Sequence, residues 1–101
     1  MADRRLATDT RTVTVTVRYF AAARAAAGVS EETVSVPAAG GAIDPRTRVG
    51  AVVATASARR PELARVLARC SYLLDEVAVH GPDTPVRPGQ VLDVLPPFAG
   101  G

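Results

Sequence analysis

The side chains able to do chemistry are few, and most stand alone. The chain has one cysteine, Cys70, and one histidine, His80. A single cysteine permits no internal disulfide, and the two together leave no ligand set for a cysteine- or histidine-based metal centre. Cys70 falls on the apolar spacing of a helical segment, where cysteine reads as a small buried hydrophobe; a reactive thiolate needs an exposed, electropositive niche. His80 sits in the turn-forming stretch His80-Gly81-Pro82-Asp83 with no evident partner, so a general-base role lacks a positioned reacting group. Asp75 and Glu76 are adjacent, and extended backbone would send their side chains apart, so they read as a solvated turn and not as an acid–base pair.

What remains is the end of the chain, Leu95-Pro96-Pro97-Phe98-Ala99-Gly100-Gly101. The prolines remove backbone donors and favour extended geometry, while the glycines lack Cβ atoms. The expectation is a thin, flexible tail over residues 98–101 whose terminal carboxylate can enter a narrow active site on another protein. Two glycines alone also arise by chance or from a cloning scar. Directly after an apolar strand and Pro-Pro-Phe-Ala they form a more specific pattern.

Such a tail needs a rigid body, and the bulk numbers describe one. With 101 residues the chain suits a single domain, and a hydrophobic content of 48% supports a core. The aromatic share is 4%, so that core must be built from Val, Leu and Ala. A net charge of +2, with basic residues alternating with acidic ones, argues against nucleic acid. Tyr19, Phe20, Tyr72 and Phe98 are likewise not interleaved with the basic residues. Met1 to Arg11 is polar and charged, unlike a signal peptide, and no segment approaches the roughly twenty apolar residues that span a bilayer. The expected protein is soluble and cytoplasmic, with no membrane partner.

Residues 1–11 lack periodicity and read as a flexible N-terminal arm. Thr12 to Phe20 alternates, with Val13, Val15, Val17 and Tyr19 on one face and the threonines and Arg18 on the other. Ala21 to Ala27 is a short alanine-rich turn element closed by Gly28. Glu32 to Val36 alternates again and ends at Pro37, giving an antiparallel hairpin with the first strand. Residues 38–48 form a loop, with Thr47 as a plausible N-cap. Val49, Val52, Val53 and Ala56 then take helical spacing, and Pro61 opens a second helical run through Leu63, Val66, Leu67 and Cys70. Arg59, Arg60, Arg65 and Arg69 lie mainly on the other face and read as solvated. Tyr72–Leu74 and Val77–Val79 are strand-like, Val86 a brief edge contact, and Val91–Leu95 a dense apolar strand suited to the middle of the sheet. The sum is an α+β domain with one mixed sheet and helix packed across one face.

Three stretches carry a family resemblance. Val17-Arg18-Tyr19-Phe20-Ala21-Ala22-Ala23-Arg24 is similar to a strand exit with an aromatic-Ala pair followed by an arginine. Val86-Arg87-Pro88-Gly89-Gln90-Val91 is similar to a turn before the last strand, with Gln90 where an acid is usual. Leu95 to Gly101 is similar to a Pro-Pro-x-x-Gly-Gly terminus, and only this motif is specific for the chemistry. The chain thereby resembles the sulfur-carrying small subunits of molybdopterin synthase, among the ubiquitin-like β-grasp sulfur carriers (MoaD/ThiS type). The resemblance covers about residues 12–101, and the 38–48 loop looks longer than the family's usual link into the helix.

The resemblance implies a β-grasp domain over residues 12–97 and a carrier that is not itself an enzyme. An adenylating sulfurtransferase similar to the ubiquitin activators would use ATP-Mg²⁺ to convert the Gly101 carboxylate into an acyl-adenylate. Sulfur from a persulfide donor would replace AMP to give a thiocarboxylate. The tail would then enter the large catalytic subunit of molybdopterin synthase and give its sulfur to the cyclic pyranopterin precursor. No cofactor or metal would be held permanently. Gly101 is then the reacting residue, Gly100 provides clearance, and Pro96, Pro97 and Phe98 belong to the tail and its partner contact. Phe20 and Arg24, with Tyr19, add to the partner surface, although Phe20 reads equally well as a core residue. Two alternatives stay open: a thiocarboxylate carrier for cysteine or thiazole synthesis, and a ubiquitin-like protein modifier or interaction module.

Overall fold

A computed structural model describes residues 12–37 and 47–97. The expected N-terminal arm, most of the 38–48 loop and the 98–101 tail lie outside the described residues. Within them the chain runs β1 (Thr12–Tyr19), α1 (Ala21–Ala27), β2 (Glu31–Pro37), α2 (Val49–Ser57), α3 (Pro61–Leu67), β3 (Ser71–Leu74), β4 (Val77–Ala78) and β5 (Val91–Leu95).

The alternation in β1 sets the layering. Val13, Val15, Val17 and Tyr19 are all buried, and they share one core with Val34 and Val36 of β2 and Leu92 and Val94 of β5. Val49, Val52 and Ala56 of α2 and Leu63 and Leu67 of α3 close that core. Its constituents are mainly valine and leucine, as the low aromatic content requires. The sheet order is β2-β1-β5-β3-β4. β1 pairs antiparallel with β2 and parallel with β5, whose other edge is antiparallel to β3. The final strand is therefore central, and both of its neighbours depend on it. On the face away from the core, Arg18 Nε and Nη2 donate to the two oxygens of the buried Asp93 carboxylate at 2.5 and 2.8 Å.

Several local expectations are met for the reasons given. Gly28 ends α1 in the left-handed region at φ 82°, donating its N–H to the Arg24 carbonyl at 2.9 Å. Pro61 opens α3. The two helical runs of the sequence reading form the separate helices α2 and α3, with Arg59 at φ 65° in the break between them.

Others are corrected. Thr47 does not cap α2: Arg48 holds that position with no side-chain cap bond. Backbone carbonyls from the distant 82–84 turn do the work instead, Thr84 accepting from Val49 N–H and Pro82 from Gly50 N–H, each at 2.9 Å. Gly50 permits this approach, because a Cβ there would lie 3.1 Å from Pro82 Cβ. Val86 does make a brief strand contact, its N–H donating to the Thr47 carbonyl at 3.0 Å beside the isolated Arg48–Pro85 bridge, but its side chain is also a buried part of the core. Arg60 is not simply solvated: its Nη2 donates to Glu32 Oε1 at 2.8 Å, while the Tyr19 hydroxyl donates to Glu32 Oε2 at 2.6 Å. Asp75 and Glu76 both take positive φ, 48° and 69°, and form the two-residue turn between β3 and β4. Asp75 accepts from Val91 N–H at 2.9 Å and from Gln90 Nε2 at 3.1 Å, so it ties that turn to the start of β5.

Candidate functional site

The parallel β1–β5 pair decides which residues meet. Tyr19 is in register with Val94, so the two strands leave the sheet at the same end. β1 delivers Phe20 and α1 there, and β5 delivers Pro96 and Pro97. Residues more than seventy positions apart thus reach one end of the molecule, through a pairing between the first and last described strands.

Phe20 is extended, at φ −124° and ψ 151°, and its carbonyl accepts from Ala23 N–H at 3.0 Å. Ala21 follows at φ 50°, a left-handed conformation costing an L-residue about 1–2 kcal/mol. With Tyr19 filling the inward position and Ala23 the next buried one, Phe20 is left 41% exposed. The core reading of Phe20 is therefore overturned by strand alternation itself. Arg24 lies in the last turn of α1 and is exposed.

Pro96 is buried and Pro97 is exposed, so the chain leaves the body between them. Both line a groove of about 430 Å³. Ala22 contributes from α1, and Glu62, Arg65 and Val66 from α3, with Arg69 from the turn beyond. Of the expected site residues, Phe20, Arg24, Pro96 and Pro97 are brought to this end of the molecule; Phe98, Gly100 and Gly101 lie outside the described residues. The groove side of α3 was missed. Its signal was present, since Glu62, Arg65 and Arg69 recur at helical spacing, but that spacing does not name the neighbour the stripe faces.

The isolated reactive groups Cys70 and His80 do not line this groove. Cys70 sits beyond α3, not within it, and its thiol donates to the Val66 carbonyl at 3.3 Å. Burial pushes that thiol's pKa up, which disfavours the thiolate. It lines a second cavity of about 410 Å³ together with His80 and Tyr72. The Tyr72 hydroxyl donates to the Leu67 carbonyl at 2.7 Å, and burial, with a smaller contribution from Cys70, pushes its phenol up to about 12. Among the described residues no group of three or more His, Cys, Asp or Glu side chains could hold a metal ion, and no helix is long and apolar enough to cross a membrane.

The architecture has close counterparts among solved structures. Small archaeal modifier protein 1 from Methanosarcina acetivorans superposes with a TM-score of 0.70 at 21% identity, over 91% of this chain and 100% of that one. A putative molybdopterin converting factor subunit 1 from Pyrococcus furiosus gives 0.69 at 26% identity, over 85% and 99%. The complex of subunits 1 and 2 of molybdopterin-converting factor from Helicobacter pylori contains a chain matching at 0.57 and 21%, over 88% and 100%. These likenesses establish the ubiquitin-like β-grasp fold. No curated protein sequence matches significantly. The family model for the ThiS family, however, matches residues 17–101. That span includes both the Phe20–Arg24 exit and the Pro96–Gly101 terminus, and the chain belongs to the ThiS family.

Proposed function

We propose that this chain is the sulfur-carrying small subunit of a molybdopterin synthase, working through the carboxyl group of Gly101. The observation that carries the reading is the root of the tail: Pro96 buried, Pro97 exposed, and four residues left, ending in Gly101. The Pyrococcus furiosus and Helicobacter pylori structures support it, the latter because its subunit 1 is paired with a subunit 2.

A carboxylate is a poor electrophile, so a partner must first activate it. In the proposed sequence a Gly101 oxygen attacks the α-phosphate of ATP-Mg²⁺ on an adenylating enzyme, and pyrophosphate leaves. A persulfide sulfur then displaces AMP to form an acyl disulfide, and a second thiol on the partner side attacks its S–S bond, releasing the thiocarboxylate and leaving a disulfide on the donor. Inside the large catalytic subunit that sulfur attacks the cyclic pyranopterin precursor. This chain contributes the carried group and its presentation; the acids, bases and ATP site belong to its partners. Gly100 gives clearance in the narrow cleft, and Phe98, Phe20 and Arg24 contact the partner surface. The proposed setting is the cytoplasm, where ATP and reduced sulfur donors meet.

The likeness to small archaeal modifier protein 1 favours a second reading, a protein modifier joined through Gly101 to lysines. Intact mass spectrometry separates the two. After incubation with the adenylating enzyme, ATP-Mg²⁺ and a sulfur donor, the carrier should exchange one oxygen for one sulfur. Adding the large subunit and the precursor should reverse that gain. Amide adducts on other proteins' lysines would favour the modifier. One residue added after Gly101 should abolish sulfur loading and leave the domain folded; an extended variant that still loads would overturn the terminal-carboxyl mechanism.

A further inference from the structure

Arg18 and Arg60 are each held by a carboxylate, Asp93 and Glu32 respectively. Arg65 and Arg69 are different. Four positions apart, they line the groove at the tail root, both are exposed, and neither side chain has an ion-pair or hydrogen-bond partner among the described residues. One carboxylate, Glu62, shares the groove with them, so its polar rim is net positive. Its remaining lining is apolar: Ala22, Val66 and the two prolines.

We propose that this groove docks an acidic segment of the protein that adenylates the tail, with Arg65 and Arg69 pairing its carboxylates and the apolar lining receiving one hydrophobic side chain. The inference rests on the carrier function above. Charge along the chain picks out the adenylating partner. The root of the tail is positive and its end, Gly101, is negative. A site that holds the triphosphate of ATP must itself be cationic, so it attracts the end and repels the root. An acidic segment at the mouth of that site removes the conflict and fixes the direction of entry. Four residues reach at most about 14 Å, which bounds the separation between the acidic mouth and the cationic centre.

The test uses the full-length carrier, the adenylating enzyme of the same organism and ATP-Mg²⁺, with pyrophosphate release followed against carrier concentration. Charge reversal in R65E/R69E should raise KM about tenfold or more and leave kcat within about twofold, because the tail itself is intact. R65Q/R69Q should fall between. Salt should raise the wild-type KM and narrow the gap between variants. Melting curves matching wild type will show that the variants fold. An unchanged KM in R65E/R69E, or a loss confined to kcat, overturns the proposal. So does a shift of the Arg65 and Arg69 side-chain NMR signals when residues 98–101 are deleted from the free carrier, which would make the tail its own occupant. A dimer abolished by R65E/R69E would likewise assign the groove to a second copy. If wild type is not adenylated at all, the carrier reading fails and this inference with it; if wild type reacts and charge reversal is neutral, only this inference fails.

Discussion

Glu32 is the residue on which the acid stability of the domain turns. Its carboxyl is partly buried, which by itself would raise its pKa; hydrogen bonds from Arg60 and Tyr19 outweigh burial and hold it below its ordinary 4.5. The unfolded chain therefore binds the proton more readily than the folded one. The stabilisation is complete above pH 4.5 and is lost as pH falls through the lower folded value. Urea melts across the acid range should show stability rising with pH up to that point, and Glu32→Gln should flatten the limb. Tyr19→Phe should cost about 1–2 kcal/mol, since a hydrogen bond to a charged group is lost, yet keep part of the pH dependence through Arg60. Phe20→Ala makes the opposite case. Because Phe20 faces solvent, its removal should change stability by less than about 0.5 kcal/mol while weakening association with the tail's partners. A large loss of stability there would return Phe20 to a structural role.

At the scale of elements, the turns carry the strain. Ala21, Asp75 and Glu76 all hold positive φ without being glycine. Asp75 has a compensating task, since its carboxylate accepts from Val91 N–H. Glu76 has no comparable bond among the described residues, so Glu76→Gly should stabilise the domain by about 1 kcal/mol, read from urea denaturation. A decrease would mean that the Glu76 side chain does more than solvate. The strands, the Gly28 cap and the Pro61 start were legible in the sequence, because period two, period 3.6 and cap chemistry are local properties. The cap of α2, the ion pair of Arg60 and the burial of Val86 were not. The capping of α2 depends on carbonyls more than thirty residues away, Arg60 on a glutamate in β2, and Val86 on a chain path that no local pattern encodes. The candidate site divides in the same way. Its tail was readable as a motif, whereas the α3 wall of the groove became visible only once the parallel β1–β5 pair had set Pro96 and Pro97 against it.

For the molecule as a whole, the surface chemistry matches a reactive end. All twelve basic side chains are arginines, so the chain has no lysine. An acyl-adenylate at Gly101 would find no side-chain amine on its own carrier, since guanidinium groups stay protonated and are poor nucleophiles. Arg65→Lys should change that. Once the adenylated tail leaves the activating site and folds back, the amine beside its root would attack the activated carbonyl with loss of AMP and close an internal amide, seen by mass spectrometry as the carrier minus one water. A variant that loads sulfur normally and never cyclises would show that the groove keeps residue 65 away from the activated end. The sheet order has a consequence of another kind. β5 lies between β1 and β3, and without it the sheet falls into two separate hairpins. Since β5 is also the last of the described strands along the chain, a chain interrupted anywhere before Val91 has neither a complete sheet nor a tail root. Biosynthesis thus acts as its own inspection: a copy that presents Pro97 from a closed sheet has already been translated through every element that supports it.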